Sequence, residues 1–291
     1  MKSEWLKYNI PHLLILAGLL VLPLEAAAFC HEIELVKKKL SSAEPVTNLT
    51  FSSSLITGHL SLFTPVPATN NTGSVVIRWF GHATFQITSS KGTRILTDPH
   101  IRDYLPVPTL PQHIVTTSHN HTPHSNIWMA RGKPVILEGL SHLDDDWKAI
   151  HRIIRDVSVY TVPAYHDKSQ GLQRGKNAIF VFRVDDICIA HLGDLGHRLT
   201  KVQLKMLGKI DILLVPIAGG MYTVPADEAR EVTKQVNPRI AVPMHYSWED
   251  AAEEFTRGHP RVRKINSHTL KISKRQLPKA GEIVILSWNH D

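Results

Sequence analysis

Three imidazoles stand close together in Thr117-Ser118-His119-Asn120-His121-Thr122-Pro123-His124-Ser125-Asn126. An apolar stretch, residues 113–116, precedes them, and a segment able to start a helix at Ser125 follows. Histidines at i, i+2 and i+5 on such a strand-to-helix turn can converge on one point, as metal ligands must. A polar loop rich in histidine by chance would look the same. Three later residues in similar settings weigh against chance: His166 after an apolar run, Asp194 in His191-Leu192-Gly193-Asp194-Leu195-Gly196-His197, and His245 in Pro243-Met244-His245-Tyr246. Together they predict a metal-dependent hydrolytic site.

The elements that must carry these side chains follow from the hydrophobic pattern. Residues 75–80, 83–88 and 94–97 read as short strands, with turn residues at Gly81 and between Ser89 and Gly92. Residues 113–116 lead into the histidine cluster, and 134–137 form another strand. Helical periodicity runs over 145–154. Residues 157–162 and 178–184 are strands, and Asp185-Asp186 turns tightly into 187–192. Helices at 200–207, 226–236 and 248–256 then alternate with strands at 212–216 and 240–244, and 282–288 closes the chain as a strand. Two sheets packed face to face with helices outside are expected, an α/β (α+β) arrangement.

Upstream, residues 1–28 read as a secretory signal peptide: Lys2 and Lys7 at the start, a short apolar core from Leu13 to Leu24, and Ala26-Ala27-Ala28 as a cleavage site. That core is shorter than the roughly 20 residues a bilayer span needs. Export to a periplasm, or secretion, is the expected localisation. Residues 29–74 form an N-terminal extension whose Ser/Thr/Asn/Pro-rich part holds the sequons at Asn48 and Asn70, and residues 75–291 form the catalytic domain.

A hydrophobic content of 43% and a charged content of 20% exclude disorder as the overall state. The net charge of +7 favours anionic partners, but Lys and Arg are scattered, which argues against a nucleic-acid groove. With only Cys30 and Cys188, no thiolate cluster can hold a structural zinc; the two could pair in an oxidising compartment, which the sequence leaves open.

From residue 75 to 288 the chain resembles the metallo-β-lactamase superfamily, in particular its lactonase-like and N-acyl-phosphatidylethanolamine phospholipase D-like branch. The resemblance rests on Arg78-Trp79-Phe80-Gly81-His82-Ala83-Thr84, on Leu96-Thr97-Asp98-Pro99, and on the ordered series of His cluster, lone His, Gly-Asp and Met-His. It implies an αββα sandwich with two metals at one edge. His119, His121 and His166 would bind the first, Asp194 would bridge, and His124 and His245 would bind the second. Zinc, as one or two ions, is the implied cofactor, with manganese or iron as alternatives. Such metals make a nucleophile of water and polarise the scissile bond. Asp98 would fix a ligand imidazole by hydrogen bonding, or else simply form the turn before Pro99.

One position departs from the family pattern His-x-His-x-Asp-His: the aspartate is replaced by Pro123, which offers no ligand and no proton acceptor. Weaker occupancy of the second site, down to a one-metal enzyme, is the expectation. His82 is placed near the site, as an outer contact or a substrate contact, and His197 could reach substrate or face solvent. His191 on its apolar strand reads as a core residue, while His142, His151, His259 and His268 read as surface. Gly219-Gly220 reads as a tight turn near the site. Lys168, Arg174 and Lys176 could meet an anionic substrate, or be ordinary loop charge.

The function expected is hydrolysis of an ester-type bond, a phosphodiester or a lactone, with Asp194, His82 and His197 as the catalytic candidates. The substrate would be a small molecule or a lipid, with peripheral membrane contact in the lipid case. The competing class is a catalytically impaired metal-binding or interaction protein, for which Pro123 is the best support.

Overall fold

The protein is seen as a computed structural model that describes residues 73–143, 146–220, 222–246 and 249–287. The expected signal peptide, the extension up to residue 72, both sequons and Cys30 lie outside the described residues.

Among the described residues fourteen strands form two sheets. The first contains β1 (Ser74–Trp79), β2 (Phe85–Thr88), β3 (Arg94–Thr97), β4 (Ile114–Thr117), β5 (Val135–Glu138) and β13 (Thr269–Ser273), in the order β13-β1-β2-β3-β4-β5. The second contains β6 (His151–Ile154), β7 (Val157–Tyr165), β8 (Lys176–Val184), β9 (Ile187–His191), β10 (Ile212–Pro216), β11 (Ile240–Met244), β12 (Val262–Lys264) and β14 (Glu282–Ile285), in the order β12-β14-β11-β10-β9-β8-β7-β6. Alternation in β1 buries Val75, Ile77 and Trp79 and leaves their neighbours half-buried, as a sheet with one core face requires. In β9, β10 and β11 every residue is buried, because those parallel strands are covered on both faces. One continuous apolar core joins the two sheets.

Three helices are described: α1 (Lys201–Leu207), α2 (Ala226–Val236) and α3 (Glu249–Thr256). A capping box starts α1, with Thr200 and Gln203 each satisfying the other's backbone N–H. A left-handed Asn237 ends α2. α1 packs on β7, α2 on β10, and α3 on α2. The expected layers of sheet, sheet and helix are therefore present.

Two expectations fail. Residues 146–154 are not helical: Trp147 pairs with Leu140 and β6 pairs with β7. The Trp147 indole N–H reaches the carbonyls of Ala164 and Asn177, so tertiary contacts override the helical periodicity. No helix starts at Ser125 either; two short 3-10 turns, Thr122–His124 and Ile127–Met129, follow the histidine cluster instead. The strands β6, β12 and β13 were not expected at all. Among the described residues no helix is long and apolar enough to cross a membrane.

Candidate metal centre

Parallel strands gather the site. β3 and β4 run parallel in one sheet, and β9, β10 and β11 in the other. Their C-terminal ends open at one edge and release, in turn, Asp98, His119, Asp194, Gly219 and His245. Loops beyond the carboxyl ends of parallel strands are where side chains from distant segments can meet. Backbone bonds lock the two sheets together there: Ala178 N–H donates to Ser118 O at 2.9 Å, and His245 N–H to His82 O at 2.9 Å.

Asp194 stands at the centre. Its Oδ2 is 3.1 Å from His124 Nε2, 3.1 Å from His166 Nε2 and 3.8 Å from His119 Nε2, and its Oδ1 is 3.3 Å from His245 Nε2. Ligand atoms of His119, His121, His166 and Asp194 lie within 4.8 Å of one another, as do those of His82, His124 and His245. All seven residues except His121 are buried. Six side chains read from the sequence thus converge, and His82 joins them: its ring centroid is 4.0 Å from that of His245 and 4.5 Å from that of His124.

The supporting shell explains which ring nitrogens face inward. Asp98, fully buried, accepts from Ser118 N–H at 2.8 Å and from Ser118 Oγ at 2.5 Å, and pairs with His124 Nδ1 at 3.2 Å. Since the Ser118 hydroxyl donates to Asp98, it accepts from His119 Nδ1, 2.9 Å away. One carboxylate therefore turns Nε2 of both His124 and His119 toward Asp194. Asp98 thus touches the candidate ligand His124 directly, and Ser118 extends its reach to His119.

The Asp194 loop is held by Asn177 and by the His166 backbone. Asn177 Oδ1 accepts from Asp194 N–H at 3.0 Å, and its amide donates to Leu192 O at 2.9 Å. A Cβ on Gly193 would stand 2.4 Å from Asn177 Oδ1, and one on Gly196 would stand 2.1 Å from His166 O. Those glycines let the Asp194 loop press against the His166 backbone. Next to His166, Asp167 accepts backbone N–H bonds from Ser169, Gly171, Gln173 and Arg174, which shapes the loop carrying Arg174. Trp79 serves both halves of the site: its indole donates to His82 O at 3.0 Å and its ring stacks on Tyr246 at 5.3 Å.

Charge follows this packing. Burial would raise the Asp194 carboxyl, but the His124 and His245 imidazoles hold it well below the usual carboxylate range. His119 is pushed down to about 3, by burial first and then by His124. Burial would also lower His124, yet the Asp194 and Asp98 carboxylates outweigh it and hold His124 up at about 10.

The other candidates separate cleanly. His191 is a core residue, as expected: its Nε2 donates to Ala83 O at 2.8 Å and its Nδ1 accepts from Gly193 N–H at 3.2 Å. His197 is not brought to the cluster. Tyr165 N–H donates to its Nε2 at 3.1 Å and its Nδ1 donates to Arg198 O at 2.7 Å, so both nitrogens serve backbone. The catalytic expectation for His197 is dropped on that geometry. Gly219 and Gly220, both at positive φ, line the cavity over the site with His82, Arg102, His121, Pro123, His124, Tyr222 and His245. Arg174 and Lys176 line an open cavity beside His119, His121 and His166, whereas Lys168 pairs with Glu228 away from it.

Buried His119 Nε2, His166 Nδ1, Asp194 Oδ1 and His82 Nδ1 have no hydrogen-bond partner. Each such atom costs on the order of 1–3 kcal/mol when left unsatisfied. Such atoms on four residues of the cluster, around a carboxylate faced by imidazole nitrogens, fit divalent cations that would satisfy nitrogen and oxygen donors together.

The family model for the beta-lactamase superfamily domain matches residues 76–245. The chain belongs to the metallo-β-lactamase superfamily. Within it, a UPF0173 metal-dependent hydrolase from Thermococcus onnurineus is 30% identical over 205 residues, covering 62% of this chain and 90% of its own. Another from Pyrobaculum neutrophilum is 28% identical over 234 residues, covering 72% of this chain and 99% of its own. A Thermotoga maritima structure, provisionally described as a Zn-dependent hydrolase of the same superfamily, superposes with a TM-score of 0.58 at 29% identity, over 73% of this chain and 98% of that one. This superfamily member is a metal-dependent hydrolase of the UPF0173 family. Its His/Asp cluster is able to bind metal.

Proposed function

We propose that this hydrolase cleaves an ester-type bond, a phosphodiester or a lactone, as the phospholipase D-like and lactonase-like branch of the superfamily does. The observation that carries the reading is the convergence of four imidazole Nε2 atoms on the single buried carboxylate of Asp194. His119, His121 and His166 with Asp194 would hold one ion, and His124 and His245 with Asp194 a second. Zinc is the ion proposed. Bound there, such ions supply a water acidic enough to attack near neutral pH and polarise the bond it attacks. The chain's own part is to fix that geometry. Asp98 and Ser118 set the ring orientations, Asn177 and the two loop glycines hold Asp194 still, and Tyr222, which lines both cavities, meets the substrate.

Arg174 on one side of the centre and Arg102 on the other favour an anionic substrate. A lipid-directed role draws support from Tyr104 and Trp128, 71% and 89% exposed, on two segments tied by Asn126 Nδ2–H to His100 O and Arg131 Nε–H to Pro108 O. Exposed amphipathic aromatic rings suit a membrane surface.

The test is turnover of chromogenic phosphodiester, ester and lactone substrates by zinc-loaded protein. Activity that disappears with chelator and in His121→Ala is expected. Silence on all three, with metal firmly held, overturns the reading and supports the second one, a protein that binds metal without turnover, for which Pro123 is the favouring observation.

A further inference from the structure

The second site carries a difficulty that the first does not. Between His121 and His124 the chain turns through a short 3-10 segment whose middle residue is Pro123, and this side chain borders the cavity without being able to ligate or accept a proton. Left to His124, His245 and a shared Asp194, the second position is thinly provided.

We infer that His82 is a metal ligand of the second site and occupies the place that Pro123 leaves empty of donors. Four observations meet on this residue. Its ligand atom lies within 4.8 Å of those of His124 and His245, a cluster separate from the one around His119, His121 and His166. The residue is 7% exposed and its Nδ1 is buried without a hydrogen-bond partner, so that nitrogen has been taken from water with nothing in the protein to replace it. Its backbone sits at φ 52, which a non-glycine residue adopts at a cost and which the surroundings must enforce. Two bonds supply that enforcement: Trp79 Nε1–H and His245 N–H both donate to the His82 carbonyl, at 3.0 and 2.9 Å.

A core histidine would look different. His191, equally buried, uses both ring nitrogens on backbone groups. His82 instead faces His124 and His245, rings that already present Nε2 to Asp194. His245 is itself at φ 57, so two left-handed residues joined by a backbone bond aim their rings at one point. Three imidazoles, two of them also against the Asp194 carboxylate, are donors of the kind a borderline cation takes.

The inference rests on the metal-site reading, and the experiment separates the two. Metal-free protein is titrated with Co²⁺, and bound ions per chain are counted while the visible ligand-field bands are recorded. The wild-type chain should take up two ions. His82→Gly, chosen because glycine adopts φ 52 freely, should take up one and keep the band of the first site, which also reports that the fold survives. His82→Gly combined with Pro123→Asp should recover the second ion, since the new carboxylate borders the same cavity. Two ions in His82→Gly with an unchanged spectrum would overturn the role of His82 alone. A wild-type chain holding one ion would overturn it too, as would loss of both ions in the variant. A wild-type chain that binds no cobalt would overturn the metal-site reading and this inference with it.

Discussion

Asp98 grips His124 from behind: the carboxylate lies 3.2 Å from Nδ1 while Nε2 of the same ring faces Asp194 at 3.1 Å. The same carboxylate reaches His119 through the Ser118 hydroxyl. Asp98→Ala would free both rings to rotate and would leave the two Ser118 donors unpaired. Outer partners of metal ligands typically account for about 10–100-fold in metal affinity. Competition against a chromophoric chelator should show a loss of that order for the variant. An unchanged affinity would mean that Asp98 serves only the turn before Pro99.

The same ring makes metal uptake pH-dependent. In the metal-free chain the two carboxylates outweigh burial and hold His124 protonated up to about 10, against an ordinary 6.5. A metal ligand must be deprotonated, so uptake between those values displaces that proton, and affinity should rise about tenfold per pH unit. The stability consequence has a definite sign. A raised histidine pKa contributes stability fully present below 6.5 and lost as pH rises through about 10. Metal-free protein should therefore lose thermal stability across that window, while loaded protein does not. Melting curves with and without chelator at several pH values check this: the gap should widen as pH rises.

Three members of the ligand series were legible because each follows a strand within one or two residues: His119 after β4, His166 after β7, and His245 after β11. Short apolar runs and a following polar residue are local properties, and these appear in sequence. The shell was not legible. Nothing in the sequence marks Ser118 or Asn177: their roles depend on contacts between the ends of neighbouring strands, Ser118 bonding Asp98 20 residues away and Asn177 bonding Asp194 N–H 17 residues away. His82 and His197 show the same limit from opposite sides. Both are loop histidines beside glycine, and only the fold decides that one faces the centre and the other caps backbone at Tyr165. The helix expected over 145–154 failed because periodicity cannot register the partner strand β7.

Gly196 offers a test of how tightly the Asp194 loop is seated. A methyl group there would meet His166 O at 2.1 Å and Asp167 N at 2.4 Å, both backbone atoms that cannot rotate away. Overpacking of this kind costs about 1–3 kcal/mol and shifts the backbone. Gly196→Ala should lower the melting temperature by several degrees and weaken first-site metal binding, because the displaced strand end is the one bearing His166. Retention of both within error would mean that the loop has room that the present geometry does not give it.

Arg174 decides between substrate classes. Asp167 fixes its backbone through the bond at 2.8 Å, and its side chain borders the cavity shared by His119, His121 and His166. Its neighbour Lys176 is already paired with Asp146 at 2.9 Å and lies over Trp147, which leaves Arg174 as the charge available to incoming substrate on this side. A guanidinium meeting a phosphodiester on an exposed loop should be worth about tenfold in binding, screened by salt. Arg174→Ala should raise KM about tenfold for an anionic phosphodiester, with kcat little changed and the effect shrinking at high ionic strength. For a neutral lactone the same variant should leave KM alone. Steady-state kinetics on the two substrate types then reads out which class the cavity is built for, and equal effects on both would remove Arg174 from substrate selection.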